Sequence, residues 1–333
     1  MGLINPMVAD WIGERVDLAQ RPILKYIRYP MARMNLNYQP LDEALFARYA
    51  SNYLPPYLLD DQFELETDSG WIVTNDSRTI GFIWGRDVLR DDKKTRYVLR
   101  LEVNKAYRNL GIGSELLKKF ETDSADLDLL ELSVMENEEN HDAVLKVVKK
   151  NGWGKPKIGA YCYRATIEKF FESVPWAGEH REYRYQQYLF PWKELTSDER
   201  NQLKDEEGPD SWRDEPDPAS PLVFGEDFEP NTSLGVRIDG EIVGWMINGL
   251  YGADTVLYGS YFVRRPYRSA GLAISLLLAS IKRQRETEIP NSVWFAQKSN
   301  PEAKRLYDKI LAPCILSRNR VYSVKKETVI KSV

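Results

Sequence analysis

Two segments of the sequence contain the residues best suited to hold a phosphate group. Residues 108–113 and 268–273 each begin with an arginine, contain one or two glycines, and stand between an apolar run and a helical pattern. Glycine lets the backbone approach a ligand closely, and the free N–H groups at a helix N-terminus favour an anion. The spacing therefore predicts a pyrophosphate-binding loop in each segment, with the arginine adding positive charge.

Other nucleotide-binding patterns fit these loops less well. Leu116 occupies the third glycine position of a dinucleotide fingerprint, which argues against a nicotinamide oxidoreductase, and the Gly-Lys-Ser/Thr of a P-loop is absent. The chain has two histidines and two cysteines. We therefore expect neither a Ser–His–acid triad nor a metal site built on histidine or cysteine.

The two loops belong to a repeat with a spacing of 160 residues. Identical residues at this spacing are Val103 and Val263, Tyr107 and Tyr267, Arg108 and Arg268, Gly111 and Gly271, Asn140 and Asn300, and Ala143 and Ala303. A repeat of this length indicates a duplicated domain rather than a short solenoid unit. The length of 333 residues also suits two domains.

Each half shows the same succession of strand and helix patterns. In the first half we expect strands at 34–39, 97–103 and 130–135, a hairpin turning at 75–78, helices at 41–49, after the loop and at 143–148, and a closing strand at 158–167. In the second half we expect strands at 183–189, 257–263 and 293–296, a hairpin turning at Asp239-Gly240, helices from 274 and 301, and a strand at 320–325 that closes the sheet. The predicted class is mixed α/β.

The domain boundaries follow from these patterns. Residues 1–34 form an N-terminal extension, expected to pack on the protein or to serve as a dimer arm, so a homodimer is left open. The first domain covers 35–172, a linker covers 173–182, and the second domain covers 183–333. The second domain contains an insert at 198–229 with twelve acidic and three basic side chains.

Composition excludes several classes of partner. The formal net charge of −4 predicts no general attraction to nucleic acid. The most apolar run, residues 271–281, is far shorter than a membrane span, so we expect no membrane partner. Two cysteines are too few for a disulfide framework, and the start of the chain lacks the pattern of a secretory signal. These features predict a cytoplasmic protein.

The loops resemble motif A of the GNAT superfamily of N-acyltransferases, in which a strand ending in valine is followed by Gln/Arg-x-x-Gly-x-Gly/Ala at the start of a helix. Residues 300–307, Asn-Pro-Glu-Ala-Lys-Arg-Leu-Tyr, resemble motif B. The resemblance covers nearly all of the chain after residue 34. It implies two tandem domains, each with a mostly antiparallel central sheet, two splayed strands and flanking helices.

The resemblance also implies an acyl-CoA co-substrate, with acetyl-CoA as the default donor and a longer acyl group left open. Its pyrophosphate would lie on the loop and its pantetheine arm between the splayed strands. The implied cofactor-binding residues are Phe262, Val263, Arg268, Ser269, Ala270, Gly271, Leu272, Ala273 and Asn300 in the second half. Their counterparts in the first half are Val103, Arg108, Asn109, Leu110, Gly111, Ile112 and Gly113.

Tyr307 is the implied catalytic residue, because family members often protonate the leaving thiolate with a motif B tyrosine. Its counterpart, Val147, cannot donate a proton. This difference favours chemistry in the C-terminal half and a binding or scaffolding role for the first half, as in tandem enzymes of the family. The alternative for Tyr307 is a core aromatic residue. For the first half, Glu102 is either a base or a solvated carboxylate.

The expected reaction is N-acylation of a primary amine of a small molecule, amino acid or peptide. The proton of the amine would leave through water, Tyr258, Tyr261 or a carboxylate of the insert. The acidic insert would attract a cationic acceptor, with a solvated loop as the alternative. A catalytically silent acyl-CoA-binding or scaffold protein is the competing function.

Overall fold

The positions of the two predicted loops are defined in a computed structural model of the chain. It describes residues 34–49, 66–90, 93–124, 126–177, 185–206, 211–212, 220–268 and 271–328. The predicted N-terminal extension therefore lies outside the described residues, apart from Met34.

The first half contains the predicted succession of elements, followed by a helix, Ile167–Ser173, that was not predicted and that crosses the expected start of the linker at residue 173. Its strands are β1 (Leu36–Pro40), β2 (Asp68–Asn75), β3 (Arg78–Arg90), β4 (Lys93–Val103), β5 (Leu129–Met135) and β6 (Lys157–Thr166). Its helices are α1 (Glu43–Tyr49), α2 (Ile112–Thr122), α3 (His141–Lys150) and α4 (Ile167–Ser173). Apolar residues at helical spacing form the buried face of α2, namely Ile112, Leu116, Leu117 and Phe120.

The second half repeats this order, with a helix of the acidic insert in the place of α1. Its strands are β7 (Leu189–Pro191), β8 (Leu234–Ile238), β9 (Glu241–Leu250), β10 (Thr255–Val263), β11 (Asn291–Gln297) and β12 (Ser317–Glu327). Its helices are α5 (Ser197–Lys204), α6 (Arg265–Arg268), α7 (Leu272–Arg285) and α8 (Pro301–Arg305). The strand predicted at 183–189 is shorter and later than expected, because a 3₁₀ turn at Gln186–Tyr188 precedes β7.

All twelve strands form one sheet, in the order β1-β2-β3-β4-β5-β12-β6-β11-β10-β9-β8-β7. The last strand of each half pairs with the other half: β12 lies beside β5, with Val321 opposite Met135, and β6 lies beside β11, with Tyr163 opposite Trp294. The expectation that residues 320–325 close the sheet of their own half was therefore wrong. A strand pattern in the sequence indicates that a segment pairs in a sheet, but it does not determine which strand lies beside it.

Two strand pairs run parallel, and both separate after four paired positions. The β4–β5 pair ends at Val98 and Leu132, and the β10–β11 pair ends at Tyr258 and Trp294. One residue beyond the last parallel pair, each strand also changes register with its antiparallel neighbour. Leu99 is unpaired where β4 shifts against β3, and Gly259 is unpaired where β10 shifts against β9. Such bulges bend a strand, so the predicted splay occurs at the same place in both halves.

The exchanged strand carries residues of the first half into the core of the second. Tyr163 and Ala165 of β6 are buried there, with Ile167 and Phe170 of α4, among the apolar residues of α7 and β11. The core of the second half is therefore incomplete without the end of the first. Within the described ranges, none of the helices has the length and apolar character needed to cross a bilayer.

Candidate functional site

The predicted phosphate loops end at two glycines in the same unusual conformation. Gly111 and Gly271 both have φ of 83° and stand at the N-caps of α2 and α7. Other residues rarely adopt this left-handed conformation. A Cβ built on either glycine would meet nothing within 4 Å, so the backbone dihedral demands glycine while the space above the helix start stays open. Ser269 and Ala270 lie outside the described residues.

The loop arginines brace the ends of the splayed strands. Arg268 donates from Nε to the Val263 carbonyl oxygen at 2.7 Å, and Arg108 donates from Nε to the Val103 carbonyl oxygen at 2.9 Å. The sequence indicated only positive charge at these positions. In the structure each arginine also links its loop by a hydrogen bond to the strand before it, and this bond helps to position the glycine at the helix N-cap.

A cavity of about 290 Å³ opens beside the loop of the second half. Of the predicted residues, Phe262, Val263, Arg268, Ala273, Asn300 and Tyr307 line it. Leu272 is fully buried in the first turn of α7. Asn300 caps α8, its Oδ1 accepting from the Ala303 N–H at 2.9 Å. The strand end, the loop and the motif B helix therefore meet at one cavity.

Tyr307 lies in this cavity wall on an irregular turn. Residues Leu306–Ile310 form a π-helical segment directly after α8, whereas Val147 lies in the regular helix α3. Single π turns occur often at functional sites. The ring of half-buried Tyr307 lies 5.3 Å from that of Tyr163 and 5.6 Å from that of Trp294, measured between centroids. Tyr307 is thus a wall residue of the cavity, held by aromatic neighbours.

A residue from the first half fixes this aromatic cluster. The Tyr163 ring stacks on Trp294 at 6.0 Å, and its hydroxyl donates to Asp308 Oδ1 at 2.9 Å. Asp308 also pairs with Lys304. Partial burial raises the pKa of Asp308, but the hydrogen bonds from Lys304 and Tyr163 outweigh it and leave that pKa below its ordinary value. Tyr163 was not among the predicted site residues, because its place beside Tyr307 depends on the exchanged strand.

Two other tyrosines considered as proton acceptors are poorly suited to that role. Burial raises the pKa of both Tyr258 and Tyr261 well above the ordinary value. The Tyr258 hydroxyl donates to Gln284 Oε1 at 2.8 Å, and the buried Tyr261 hydroxyl has no hydrogen-bond partner among the described residues. Both hydroxyls therefore keep their protons at neutral pH.

The equivalent cleft of the first half contains a charged network. Glu102 accepts from Arg100 at 2.8 Å, from Arg108 at 2.7 Å and from Asn140 at 2.8 Å, and Arg100 also lies 3.5 Å from Glu138. Glu102 is therefore an ion-paired carboxylate with little exposure to solvent. The residues lining this cavity, of about 360 Å³, include Val103, Arg108, Asn109, Gly111, Ile112 and Gly113. Leu110 packs on the apolar core below.

The insert covers the opposite face of the second-half sheet. Its Trp212 is buried with Trp245 and Phe262, and Arg264 after β10 pairs with Glu206 at 2.9 Å. The ring of Phe224 lies over the bulge in β10. The carboxylates at 207, 210, 214, 215 and 217 lie outside the described residues. Across the described ranges, no group of three His, Cys, Asp or Glu residues is arranged to hold a metal ion.

The sequence matches the acetyltransferase (GNAT) family twice, over residues 39–153 and 189–312. None of the curated proteins shows significant similarity to it.

Solved structures with a similar fold include three proteins whose matches cover most of both chains. A tandem GNAT protein from the clavulanic acid biosynthesis pathway, solved without AcCoA, has a TM-score of 0.62 at 17% identity, covering 88% of this chain and 98% of its own. A GCN5-related N-acetyltransferase from Sphaerobacter thermophilus has a TM-score of 0.57 at 15% identity, covering 88% and 96%. A GNAT-family acetyltransferase from Colwellia psychrerythraea has a TM-score of 0.54 at 13% identity, covering 87% and 100%. At these identities the likeness establishes the fold alone.

Proposed function

Because this chain belongs to the acetyltransferase (GNAT) family, we propose that it transfers an acyl group from an acyl-CoA to an amine in the cavity of its second half. The observation that carries the proposal is the meeting of a glycine-capped helix, a strand splay and Tyr307 at one cavity. Residues 262, 263, 268–273 and 300 would hold the donor. The open space above Gly271 suits its pyrophosphate.

The reaction exchanges one bond for another. The amine nitrogen bonds to the acyl carbon as the carbon–sulfur bond of the thioester breaks, the amine loses one proton, and the sulfur gains one. We assign the proton for sulfur to the Tyr307 hydroxyl. Since Tyr258 and Tyr261 keep their protons, we assign water or an insert carboxylate as the acceptor of the proton from the amine.

We propose that the first half supports the second rather than binding a donor of its own. If a donor bound to the first half, the Glu102 carboxylate would lie beside its phosphates. Glu102 already forms an ion pair with the loop arginine, Arg108. Val147 leaves the first half without a proton donor at the position of Tyr307. We also propose that the two domains cover residues 35–172 and 183–333, and that the amine acceptor is cationic.

Native mass spectrometry with acyl-CoA tests the binding site, and the duplication supplies a matched control. Gly111 and Gly271 share the same φ and the same open surroundings. Alanine at either position is therefore expected to cost about 1 kcal/mol of stability through the backbone alone. We expect one CoA per chain, weakened by Gly271→Ala and unaffected by Gly111→Ala. Binding weakened by Gly111→Ala and unaffected by Gly271→Ala would show that the site lies in the first half. Absence of CoA binding would refute the proposal.

A further inference from the structure

The cavity of the second half continues past the point where β10 and β11 separate. Beside the paired part of β10 and β11, which ends at Tyr258 and Trp294, it is walled by a group of residues from α4, α7, β6 and β11 that we call the inner lobe. The inner lobe comprises Ala165, Ile167, Phe170, Leu277, Ile281 and Ser292. Along α7, the four steps from Leu277 to Ile281 span about 6 Å. The lobe is therefore deep enough for a short chain of atoms.

The first half shows that this lobe is not a by-product of the fold. The matching registers place Val98, Leu130 and Leu132 where the second half has Tyr258, Ser292 and Trp294. All three aliphatic side chains are buried in a packed core. The cavity of the first half is lined only by residues between 101 and 114 and between 140 and 150. The same architecture thus fills this space in one copy and leaves it open in the other.

The polar groups at the end of the lobe are already paired. Gln284 accepts from the Tyr258 hydroxyl at 2.8 Å and from the Ser292 hydroxyl at 3.0 Å, and its amide nitrogen donates to the Ile289 and Asn291 carbonyl oxygens. These bonds satisfy the groups that would otherwise seek water or a polar ligand. The remaining walls of the lobe are aliphatic and aromatic. Nearer the point where the strands separate, the Tyr261 hydroxyl and Trp294 Nε1 line the cavity without a hydrogen-bond partner among the described residues. The lobe suits an uncharged apolar chain.

The lobe lies on the face of the sheet that carries α7 and its glycine cap. Residues of the lobe share one apolar cluster with Leu272 in the first turn of α7. The insert packs on the opposite face, where Trp212 shares one buried apolar cluster with Trp245 and Phe262. A group that fills the lobe therefore enters on the side of the donor rather than the side of the insert.

We propose that the acyl group of the donor is an aliphatic chain of about four to eight carbons that extends into the inner lobe. This inference rests on the proposed acyl-CoA site in the second half. Burial of each methylene is expected to tighten binding about fourfold. Two additional methylenes, as in butanoyl-CoA, are therefore expected to tighten binding about fifteenfold relative to acetyl-CoA.

Calorimetric titration of the full chain with CoA, acetyl-CoA, butanoyl-CoA and hexanoyl-CoA tests the inference. We expect dissociation constants that fall from acetyl-CoA to hexanoyl-CoA, with CoA close to acetyl-CoA. Equal affinity for all four would overturn the inference and leave the proposed function intact. Failure of all four to bind would overturn both.

Two variants test whether the acyl chain lies in the inner lobe. Ala165→Leu adds bulk to the wall of the lobe, and Ser292→Leu installs the residue that the first half has at the matching position. Each is expected to abolish the preference for hexanoyl-CoA while leaving the affinity for acetyl-CoA within about twofold. CoA binding by the same variants reports correct folding. A preference retained in both variants would overturn the placement.

Discussion

A close contact between the insert and the sheet predicts a strong coupling between two residues. A Cβ built on Gly259 would lie 2.3 Å from Cζ of Phe224, and one built on Gly249 would lie 2.7 Å from Cε1 of the same ring. Gly259 is the unpaired bulge residue of β10, and its φ lies outside the left-handed region. Alanine at Gly259 therefore meets a steric conflict without backbone strain.

The size of the effect follows from the overlap. An ordinary contact needs 3.4–4 Å, so either the half-buried ring of Phe224 or the strand must move by more than 1 Å. Overpacking of this kind costs about 1–3 kcal/mol. In a Phe224→Ala background the conflict disappears, and Gly259→Ala is expected to cost nearly nothing. The coupling energy between the two substitutions is therefore about 1–3 kcal/mol.

Urea unfolding of the wild type, both single variants and the double variant measures this coupling. Gly113→Ala provides a control, because a Cβ there meets only ordinary contacts at 3.5 Å, and alanine favours the first turn of a helix. We expect no loss of stability for that control. Additive costs for Gly259→Ala and Phe224→Ala, within about 0.5 kcal/mol, would refute the placement of the Phe224 ring over the bulge.

Three further predictions concern the exchanged strands and the cavity wall. The two halves should unfold in one transition, since each core needs a strand of the other; separate midpoints by tryptophan fluorescence and circular dichroism would contradict this. Asp308→Asn should lower the midpoint of urea unfolding at pH 7. Because folding lowers the pKa of Asp308 from 3.8, the difference from wild type should vanish as the pH falls from 3.8 through the folded pKa, whereas a constant difference would exclude the ion pairs as its cause. Tyr307→Phe should reduce kcat about 10²–10⁴-fold with little change in CoA affinity, and an unchanged kcat would remove Tyr307 from the mechanism.

The local elements were predictable where residue chemistry determines backbone geometry. Asp239 and Gly240 turn the predicted hairpin with φ of 51° and 84°, as expected for such a turn. The phosphate loops were predictable because glycines at the same spacing recur in both halves. The family assignment is confirmed over both halves.

The features that escaped prediction depend on long-range packing. The apolar alternation of β12 fits any neighbouring strand, so the sequence did not indicate its pairing with β5. Tyr163 gained its place beside Tyr307 only through that exchange. The hydrogen bond from Asn140 to Glu102 likewise joins residues distant in sequence. Composition and periodicity carry no signal for it, nor for the π turn at Leu306–Ile310.

The strand exchange also constrains how the protein acquires its structure during synthesis. Strand β12 occupies the position between β5 and β6, yet the ribosome produces it after every other described strand, with Val321 made 186 residues after the Met135 that it faces. The first half therefore leaves the ribosome with a gap in its sheet and two unpaired strand edges. Such edges invite association with other chains. Completion of the sheet must await β12, so the two halves mature together rather than one after the other.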